Sequence, residues 1–479
     1  MRNFITIKEL LHGLEKKQYS TEEVTAFFKN RIKKYNPEFN AFLEEFPTES
    51  LKAHSKTGPL AGIPLAVKNN ISISGKSITC GSKILKGYKA PYNATVIDRI
   101  NKSGAIILGT TNMDEFAMGA SGEFSAYGDT KNPWDKERTP GGSSAGSASA
   151  VAAGLVPWAM GTETGGSVRQ PASFCGLVGL YPTYGRFSRY GIVAFASSTD
   201  QPGPLTKTVY DNALVASMLS GHDPKDSTSL PEPQRDFTKN LDGKLPDKLT
   251  IGVIQDSLDS DGVDEEVKIA FKRSVKHLER LGATVKYISL PDLKYGIAVY
   301  FILCYAEAAS NLSRFDGTLY GKRSDGIEGL LHMYVKTRHN GFGDEVKRRI
   351  LMGNYVLSSN HKHAYYEKAT HVRCAIRAEF DEAFKQVDLL MSPTAAQPAF
   401  KLGELRSDPI AMYLNDYFTV PNCITGMPAL SLPCGHTKAG LPIGIQFIGP
   451  RLSEDIIYQV AHAYEQSTDH HLKNPKGYE

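Results

Sequence analysis

Residues 139–176 combine side chains and backbone that could carry out acyl transfer. The stretch holds eight glycines and six serines but only two charged side chains, Glu163 and Arg169. An apolar run, AVAAGLVPWAM, interrupts it and predicts burial, whereas a surface linker rich in glycine and serine is usually polar throughout. Glycine-rich turns in a buried segment favour backbone amides close to a ligand, with hydroxyl groups beside them. A serine nucleophile is the chemistry that this combination suggests.

The base for such a serine is distant in sequence or is not an imidazole, because no histidine occurs between His54 and His222. Lys68 follows an uncharged run at residues 61–67 that is typical of a buried strand. Burial lowers the pKa of a lysine, and the neutral amine can accept a proton from a serine hydroxyl in a Ser–Lys arrangement. A lysine at the end of a strand can instead extend its ammonium to solvent, and composition alone does not separate the two readings.

Two other motifs in this stretch are weaker. Residues 142–146 match the G-x-S-x-G of a nucleophile elbow, which requires a buried strand immediately before the serine. The preceding segment, KNPWDKERTP, is polar and contains two prolines, so it does not fit a central strand. Residues 161–167 superficially resemble a phosphate loop but lack its closing lysine. We discard both interpretations.

The Ser–Lys arrangement matches a known pattern. Lys68, the G-G-S at residues 141–143 and the G-G-S-V-R-Q-P-A at residues 165–172 resemble the motifs of the amidase signature family. Longer phrases extend the resemblance, over essentially the full length, to the glutamine-hydrolysing subunits of tRNA-dependent amidotransferases. Among them are TNMDEFAMGASGEFSAYGDTKNPWD, FGDEVKRRILMGNYVLSS and AMYLNDYFTVPNCITGMPALSLPCG.

The resemblance implies a catalytic role for each reacting residue. Ser167 would attack the side-chain amide of glutamine. Ser143, held by a cis peptide bond after Gly142, would pass the proton between Ser167 and Lys68, and Lys68 would be the final base. Backbone amides would stabilise the oxyanion, where only residues without a Cβ let the backbone come close. These amides belong to Thr164, Gly165, Gly166 and Ser167.

The family pattern also implies a site for the amino-acid end of glutamine. Arg349 would bind the α-carboxylate, because a guanidinium matches that geometry with two hydrogen bonds. Asp416 would bind the α-ammonium, and Tyr300 would contribute a hydroxyl nearby. Arg348 is the alternative to Arg349, since both could equally lie on a solvated helix face.

Partners follow from the same resemblance. B and C subunits would complete a heterotrimer in which the B subunit binds tRNA, uses ATP and Mg²⁺, and receives ammonia. The complex would convert Glu-tRNA(Gln) and Asp-tRNA(Asn) into Gln-tRNA(Gln) and Asn-tRNA(Asn). The chain itself would need no cofactor and no metal. The alternative is a stand-alone amidase that acts on a small or aryl amide.

Three residues depart from the family pattern. Ala145 stands where glycine is usual and is compatible with a helix start. Glu163 replaces aspartate beside the predicted oxyanion loop, where the extra methylene could change the loop geometry. Tyr181 replaces lysine before Pro182. None of the three removes a reacting group.

Composition limits the remaining classes. The 479 residues are 41% hydrophobic, enough for a large core, and the net charge of +4 argues against a dedicated nucleic-acid surface. No apolar run approaches the roughly 20 residues that span a bilayer. The N-terminus alternates apolar and charged residues at helical spacing, unlike a signal peptide or a membrane anchor. Six scattered cysteines without a C-x-x-C pair predict reduced, mostly buried thiols in a cytoplasmic protein.

The elements that must position these residues alternate between helix and strand. Periodicity predicts helices at about 7–35, 93–103, 144–154 and 265–281, and strands at 249–254, 283–290 and 387–394. We therefore expect an α/β fold with a mixed central β-sheet covered by helices on both faces. One large domain would span residues 1–479, with a helical N-terminal segment at about 1–60 and a polar excursion at about 221–247.

Overall fold

One mixed β-sheet organises the chain. A computed structural model describes residues 1–50, 57–256 and 262–478, and its strands form a single eleven-stranded sheet. The strands are β1 Phe42–Glu45, β2 Pro64–Lys68, β3 Ile106–Thr111, β4 Trp158–Glu163, β5 Val178–Tyr181, β6 Gln201–Thr206, β7 Thr250–Ile254, β8 Thr284–Ile288, β9 Leu389–Pro393, β10 Ala429–His436 and β11 Pro442–Ile448.

Parallel and antiparallel pairs both occur in this sheet. Its strand order is β1-β3-β2-β4-β6-β5-β10-β11-β9-β7-β8. The pairs β3/β2, β2/β4, β9/β7 and β7/β8 are parallel, and the others are antiparallel. The expected mixed sheet is therefore confirmed. Strands β2 and β4 lie side by side near one end of the order and carry the residues on which the site depends.

Helices cover the sheet on both faces. Every residue of β2, β4, β9 and β11 is buried, and because side chains alternate between the faces of a strand, both faces must be covered. The α-helices are α1 Ile7–Glu15, α2 Thr21–Phe39, α3 Thr95–Lys102, α4 Ala145–Ala152, α5 Arg169–Cys175, α6 Val209–Leu219, α7 Glu265–Arg280, α8 Gly296–Asn311, α9 Leu330–Gly341, α10 Asp344–Leu357, α11 Lys368–Ala383, α12 Pro409–Leu414, α13 Val420–Thr425 and α14 Glu454–Gln466.

The helical pattern at 7–35 belongs to two helices rather than one. Helix α1 ends at Glu15 and α2 begins at Thr21. Thr6 and Ser20 each form a capping box with the glutamate three residues later, which stabilises a helix start at both places. Positions 51–56 of the predicted N-terminal segment lie outside the described residues.

The other predicted elements match the structure more closely. The strands expected at 249–254, 283–290 and 387–394 correspond to β7, β8 and β9, each slightly shorter than expected. Residues 221–247 contain only turns and irregular structure.

Helix α8 is strongly apolar. The helical stretch Pro291–Arg314, which contains it, is long and apolar enough by length and composition to cross a membrane. However, 61% of its most apolar window is buried inside the fold, which is typical of a core helix. Five of the six cysteines are buried and free, and Cys374 on α11 is exposed.

Candidate active site

Lys68 is the last residue of β2, and its side chain is completely buried. Its Nζ atom lies 2.7 Å from Ser143 Oγ, 2.9 Å from Ser144 Oγ and 3.1 Å from the carbonyl oxygen of Thr162. The reading in which the ammonium reaches solvent is therefore wrong. Strand β2 therefore places the Lys68 amine beside the serine loop, the loop that carries Ser143 and Ser144.

Burial makes Lys68 an unusual lysine. Loss of solvent lowers the pKa of its ammonium from 10.5 to about 7, against the opposing pull of the carboxylates of Asp114, Asp200 and Glu163. Near neutral pH the side chain therefore exists in both the charged and the neutral form. Such an amine can accept a proton from a hydroxyl group at its side.

The loop before α4 carries Ser143. The Gly142–Ser143 peptide bond is cis, and both Ser143 and Ser144 are fully buried. The amide of Gly142 donates to Gln170 Oε1 at 3.0 Å. A Cβ at position 142 would overlap the carboxylate of Asp114, which explains the glycine. Ser144 immediately precedes α4, and no strand leads into this loop, so a nucleophile elbow is absent from it.

Ser167 follows the two glycines at the end of the loop after β4. Ser167 is 6% exposed, and its carbonyl oxygen accepts a hydrogen bond from the amide of Ser144 at 3.2 Å. The two serine loops are thus joined through their backbones. Thr164 Oγ1 donates to Asp200 Oδ1 at 2.6 Å, which holds the other end of the loop.

Gly165 and Gly166 lie against two of the predicted substrate-binding residues. A Cβ built on Gly165 would be 2.6 Å from the ring of Tyr300. One built on Gly166, whose φ is +156°, would be 2.5 Å from Asp416 Oδ1. Only glycine leaves the backbone amides of this loop accessible between these side chains.

A buried ion pair stabilises the loop that carries Gly165, Gly166 and Ser167. Glu163 at the end of β4 pairs with Arg169 and accepts hydrogen bonds from the backbone amides of Val168 and Arg169 at 3.1 and 3.0 Å. The longer Glu163 is therefore accommodated by direct contacts. Tyr181 packs with its ring 5.6 Å from the Arg169 guanidinium, and its hydroxyl donates to the carbonyl oxygen of Thr199.

Asp416 presents a buried carboxylate oxygen towards the glycine loop. The residue is partly exposed, but its Oδ1 atom is buried, and no described residue donates a hydrogen bond to that atom. Burial raises the pKa of this carboxyl well above its usual range, and the nearby Glu163 charge raises it further. An unpaired buried carboxylate oxygen is unfavourable, so a bound cation would stabilise it.

Arg349 and Arg348 both contact Glu345 on α10 but differ in their exposure. The residue Arg349 is 4% exposed, whereas the Arg348 side chain is 47% exposed. Arg349 Nε donates to Glu345 Oε1 at 2.7 Å, and among the described residues no group accepts a hydrogen bond from Nη1 or Nη2. Tyr300 on α8 is buried and interacts electrostatically with Arg349 and Asp416, so the three predicted residues face one region.

Several residues that support the site were not predicted from the sequence. Asp114 accepts hydrogen bonds from the amides of Gly122 and Phe124, each at 3.0 Å, and lies against the Gly142 backbone. The sequence does single out Asp114, because the two acids in TNMDEFAMG interrupt an otherwise uncharged and largely apolar phrase. Gln170 and Glu345 left no comparable signal. No cluster of histidine, cysteine and carboxylate side chains that could hold a metal occurs in the described part of the chain.

Comparison with known proteins places these features in context. A family profile described as Amidase matches residues 23–457. The A subunit of glutamyl-tRNA(Gln) amidotransferase from Halothermothrix orenii is 50% identical over 474 residues, which cover 98% of this chain and 99% of that protein. The crystal structure of the Thermotoga maritima protein of the same name has a TM-score of 0.83 and 40% identity, covering 98% of this chain and 96% of the other. The structure of 6-aminohexanoate cyclic dimer hydrolase has a TM-score of 0.89 at 27% identity, covering 99% of both chains.

Proposed function

The chain belongs to the amidase family, and from this premise we propose that it is the glutamine-hydrolysing component of a tRNA-dependent amidotransferase. One observation carries the proposal: Asp416 lies against Gly166 and interacts electrostatically with Arg349, and among the described residues neither its buried Oδ1 atom nor the terminal nitrogens of Arg349 have a hydrogen-bond partner. A small uncharged amide needs neither group. The α-ammonium and α-carboxylate of glutamine would satisfy both.

The first chemical step forms a tetrahedral intermediate. Ser167 Oγ attacks the carboxamide carbon of glutamine, and its proton passes through the Ser143 hydroxyl to Lys68 Nζ. The Thr162 carbonyl can only accept hydrogen bonds, and the Ser144 hydroxyl donates to that same carbonyl at 3.1 Å. The two hydrogens of a neutral Lys68 amine therefore suit Thr162 and Ser144. Its lone pair is left for the hydroxyl of Ser143.

The second step breaks the carbon–nitrogen bond, which releases ammonia and leaves an acyl-enzyme, an ester on Ser167. The amides of residues 164–167 would hold the oxyanion, and the proton stored on Lys68 would return through Ser143 to the leaving nitrogen. Water then attacks the ester on Ser167, Lys68 again takes the proton, and the proton returns through Ser143 to Ser167 Oγ as the ester bond breaks and glutamate leaves. This assignment agrees with the burial of all three side chains and with the 2.7 Å contact between Lys68 and Ser143.

The subunits that would use the ammonia are part of the proposal. A B subunit would bind tRNA, use ATP and Mg²⁺ to activate the misacylated acid, and receive the ammonia through a protected path. A C subunit would complete the heterotrimer. The products would be Gln-tRNA(Gln), Asn-tRNA(Asn) or both, and the complex would work in the cytoplasm. Support comes from the relatives, whose names describe one component of an amidotransferase.

The test compares substrates and then adds partners. Ammonia release from glutamine, 4-aminobutyramide and butyramide separates the roles of the two charges, because the second lacks the carboxylate and the third lacks both. We expect a strong preference for glutamine, weak activity of the isolated chain, and stimulation by the B and C subunits with ATP and misacylated tRNA. Fast hydrolysis of butyramide or aryl amides, with no stable complex, would instead support the stand-alone amidase that the similarity to 6-aminohexanoate cyclic dimer hydrolase suggests.

A further inference from the structure

Two acidic residues, Glu115 and Glu345, fix the first turn of helix α10 near Arg349. Its N-cap residue, Gly343, donates its backbone amide to Glu115 Oε2 at 2.8 Å, which fixes the start of the helix. Glu345 follows in the first turn, 6% exposed, one helical turn before Arg349. Residues four positions apart lie on the same helix face, so the carboxylate and the guanidinium meet.

Three described residues donate hydrogen bonds to the Glu345 carboxylate. Arg349 Nε and the Tyr413 hydroxyl both donate to Oε1, at 2.7 and 2.8 Å. The exposed Arg348 donates to Oε2. Oε1, the inner oxygen, thus contacts Arg349 and Tyr413, and Oε2, the outer oxygen, contacts the exposed Arg348.

The choice of Nε decides which edge of Arg349 remains available. A guanidinium can bind a carboxylate along the edge formed by Nε and one Nη or along the edge formed by Nη1 and Nη2. Glu345 occupies Nε, so the first edge is blocked. No described residue accepts from Nη1 or Nη2, so the second edge is open to a ligand.

Aromatic rings restrict the guanidinium on its remaining sides. Its central carbon lies between 5.4 and 5.7 Å from the ring centres of four residues. These residues are Phe195, Phe301, Tyr305 and Tyr413. Rings at this distance stabilise the cation but do not set its rotation about the side-chain axis. The hydrogen bond from Nε to Glu345 is the directional contact that does.

We propose that Glu345 is a positioning residue that turns the Nη1–Nη2 edge of Arg349 towards the substrate's α-carboxylate and so sets specificity for glutamine. This inference rests on the proposed function. Glu345 contacts no reacting atom and acts only through Arg349. Its effect is therefore confined to substrates that carry a carboxylate.

The competing explanation is that Glu345 only stabilises α10 and the contact with Tyr413. Loss of a structural ion pair lowers the melting temperature and the activity on every amide together. Loss of a positioning group changes KM for the carboxylate-bearing substrate alone. The series of glutamine, 4-aminobutyramide and butyramide separates these explanations.

The experiment uses the full chain with Glu345→Ala, Glu345→Gln and, as matched control, Arg348→Ala, which removes the outer partner of the same carboxylate. For Glu345→Ala we expect KM for glutamine to rise about 10- to 100-fold with kcat within about threefold, the scale seen when a group that orients a ligand-binding residue is lost. Both analogues without the carboxylate should change less than about twofold. Glu345→Gln keeps an acceptor for Nε and should restore most of the affinity, and Arg348→Ala should match wild type.

The outcomes are distinguishable. Unchanged KM for glutamine in Glu345→Ala, or equal losses on all three substrates with a lower melting temperature, would overturn the inference while the proposed function stands. Failure of both Glu345 variants to fold would also overturn it, since the residue would then be structural. If wild type does not prefer glutamine over butyramide, the proposed function itself fails.

Discussion

The pH dependence of glutamine hydrolysis follows from the burial of Lys68. At its ordinary pKa of 10.5, about one lysine in a thousand is neutral at pH 7.5, whereas at a pKa of about 7 roughly three quarters are neutral. Burial therefore increases the fraction of usable base by nearly three orders of magnitude, equivalent to about 4 kcal/mol. Below the folded pKa the amine is protonated and cannot accept the Ser143 proton.

We expect kcat/KM for glutamine to fall about tenfold per pH unit below pH 7 and to level off above it, since this ratio reports ionisation of the free enzyme. Asp114→Asn sharpens the test. The Asp114 charge is the largest of those that favour the Lys68 ammonium, so its removal lowers the Lys68 pKa further and moves the acid limb to lower pH. Asp98→Asn, a change at an exposed carboxylate, is the control and should leave the profile unchanged.

The assay is ammonia release between pH 5.5 and 9 at constant ionic strength, with folding followed by circular dichroism at each pH. A flat profile between pH 6 and 8 would refute Lys68 as the base. A shift of the acid limb to higher pH in Asp114→Asn would refute the electrostatic reasoning even if Lys68 is essential.

Three further outcomes are expected. Ser167→Ala should abolish ammonia release, and Ser143→Ala and Lys68→Ala should each lose several orders of magnitude without adding in the double variant; near-normal turnover in either would contradict the relay. Arg349→Ala or Asp416→Ala should weaken glutamine use by about 2–5 kcal/mol in steady-state assays and barely affect butyramide, whereas equal losses would indicate a role in folding. Lys68→Met should be inactive yet more stable than wild type at pH 7. The pKa of Lys68 is lower in the folded chain than in the unfolded chain, so wild type gains stability as the pH rises from about 7 to 10.5. The higher melting temperature of Lys68→Met should therefore approach that of wild type over this pH range. A constant difference would contradict the low pKa of Lys68.

The part of the site that depends on local pattern could be predicted from sequence. The uncharged run before Lys68 forms β2, and the small residues after Ser144 form α4, because hydrophobic runs and helix starts are local signals. The pattern at 7–35 misled because its apolar spacing continues across the break between α1 and α2. There the local capping contacts, not the periodicity, decide where each helix begins.

Contacts between distant segments could not be predicted in this way. Glu345 and Tyr413 are 68 residues apart, and their hydrogen bond depends on how α10 and α12 are placed. Asp114 reaches the Gly142 backbone only because β3 and the serine loop meet in the fold. Neither composition nor periodicity encodes such a meeting, so the residue-by-residue resemblance was the only guide to the substrate end of the site.

The distribution of the cysteines makes the native chain suitable for a single fluorescent label. Burial raises the pKa of the five interior thiols, so they hold little of the thiolate that reacts with a maleimide. Cys374 is exposed on α11, which packs against α8, the helix that carries Tyr300. A dye attached there would lie at the surface of a helix that packs against the one carrying Tyr300. Docking of a partner protein near α11 could then be followed by fluorescence, with every catalytic side chain unchanged.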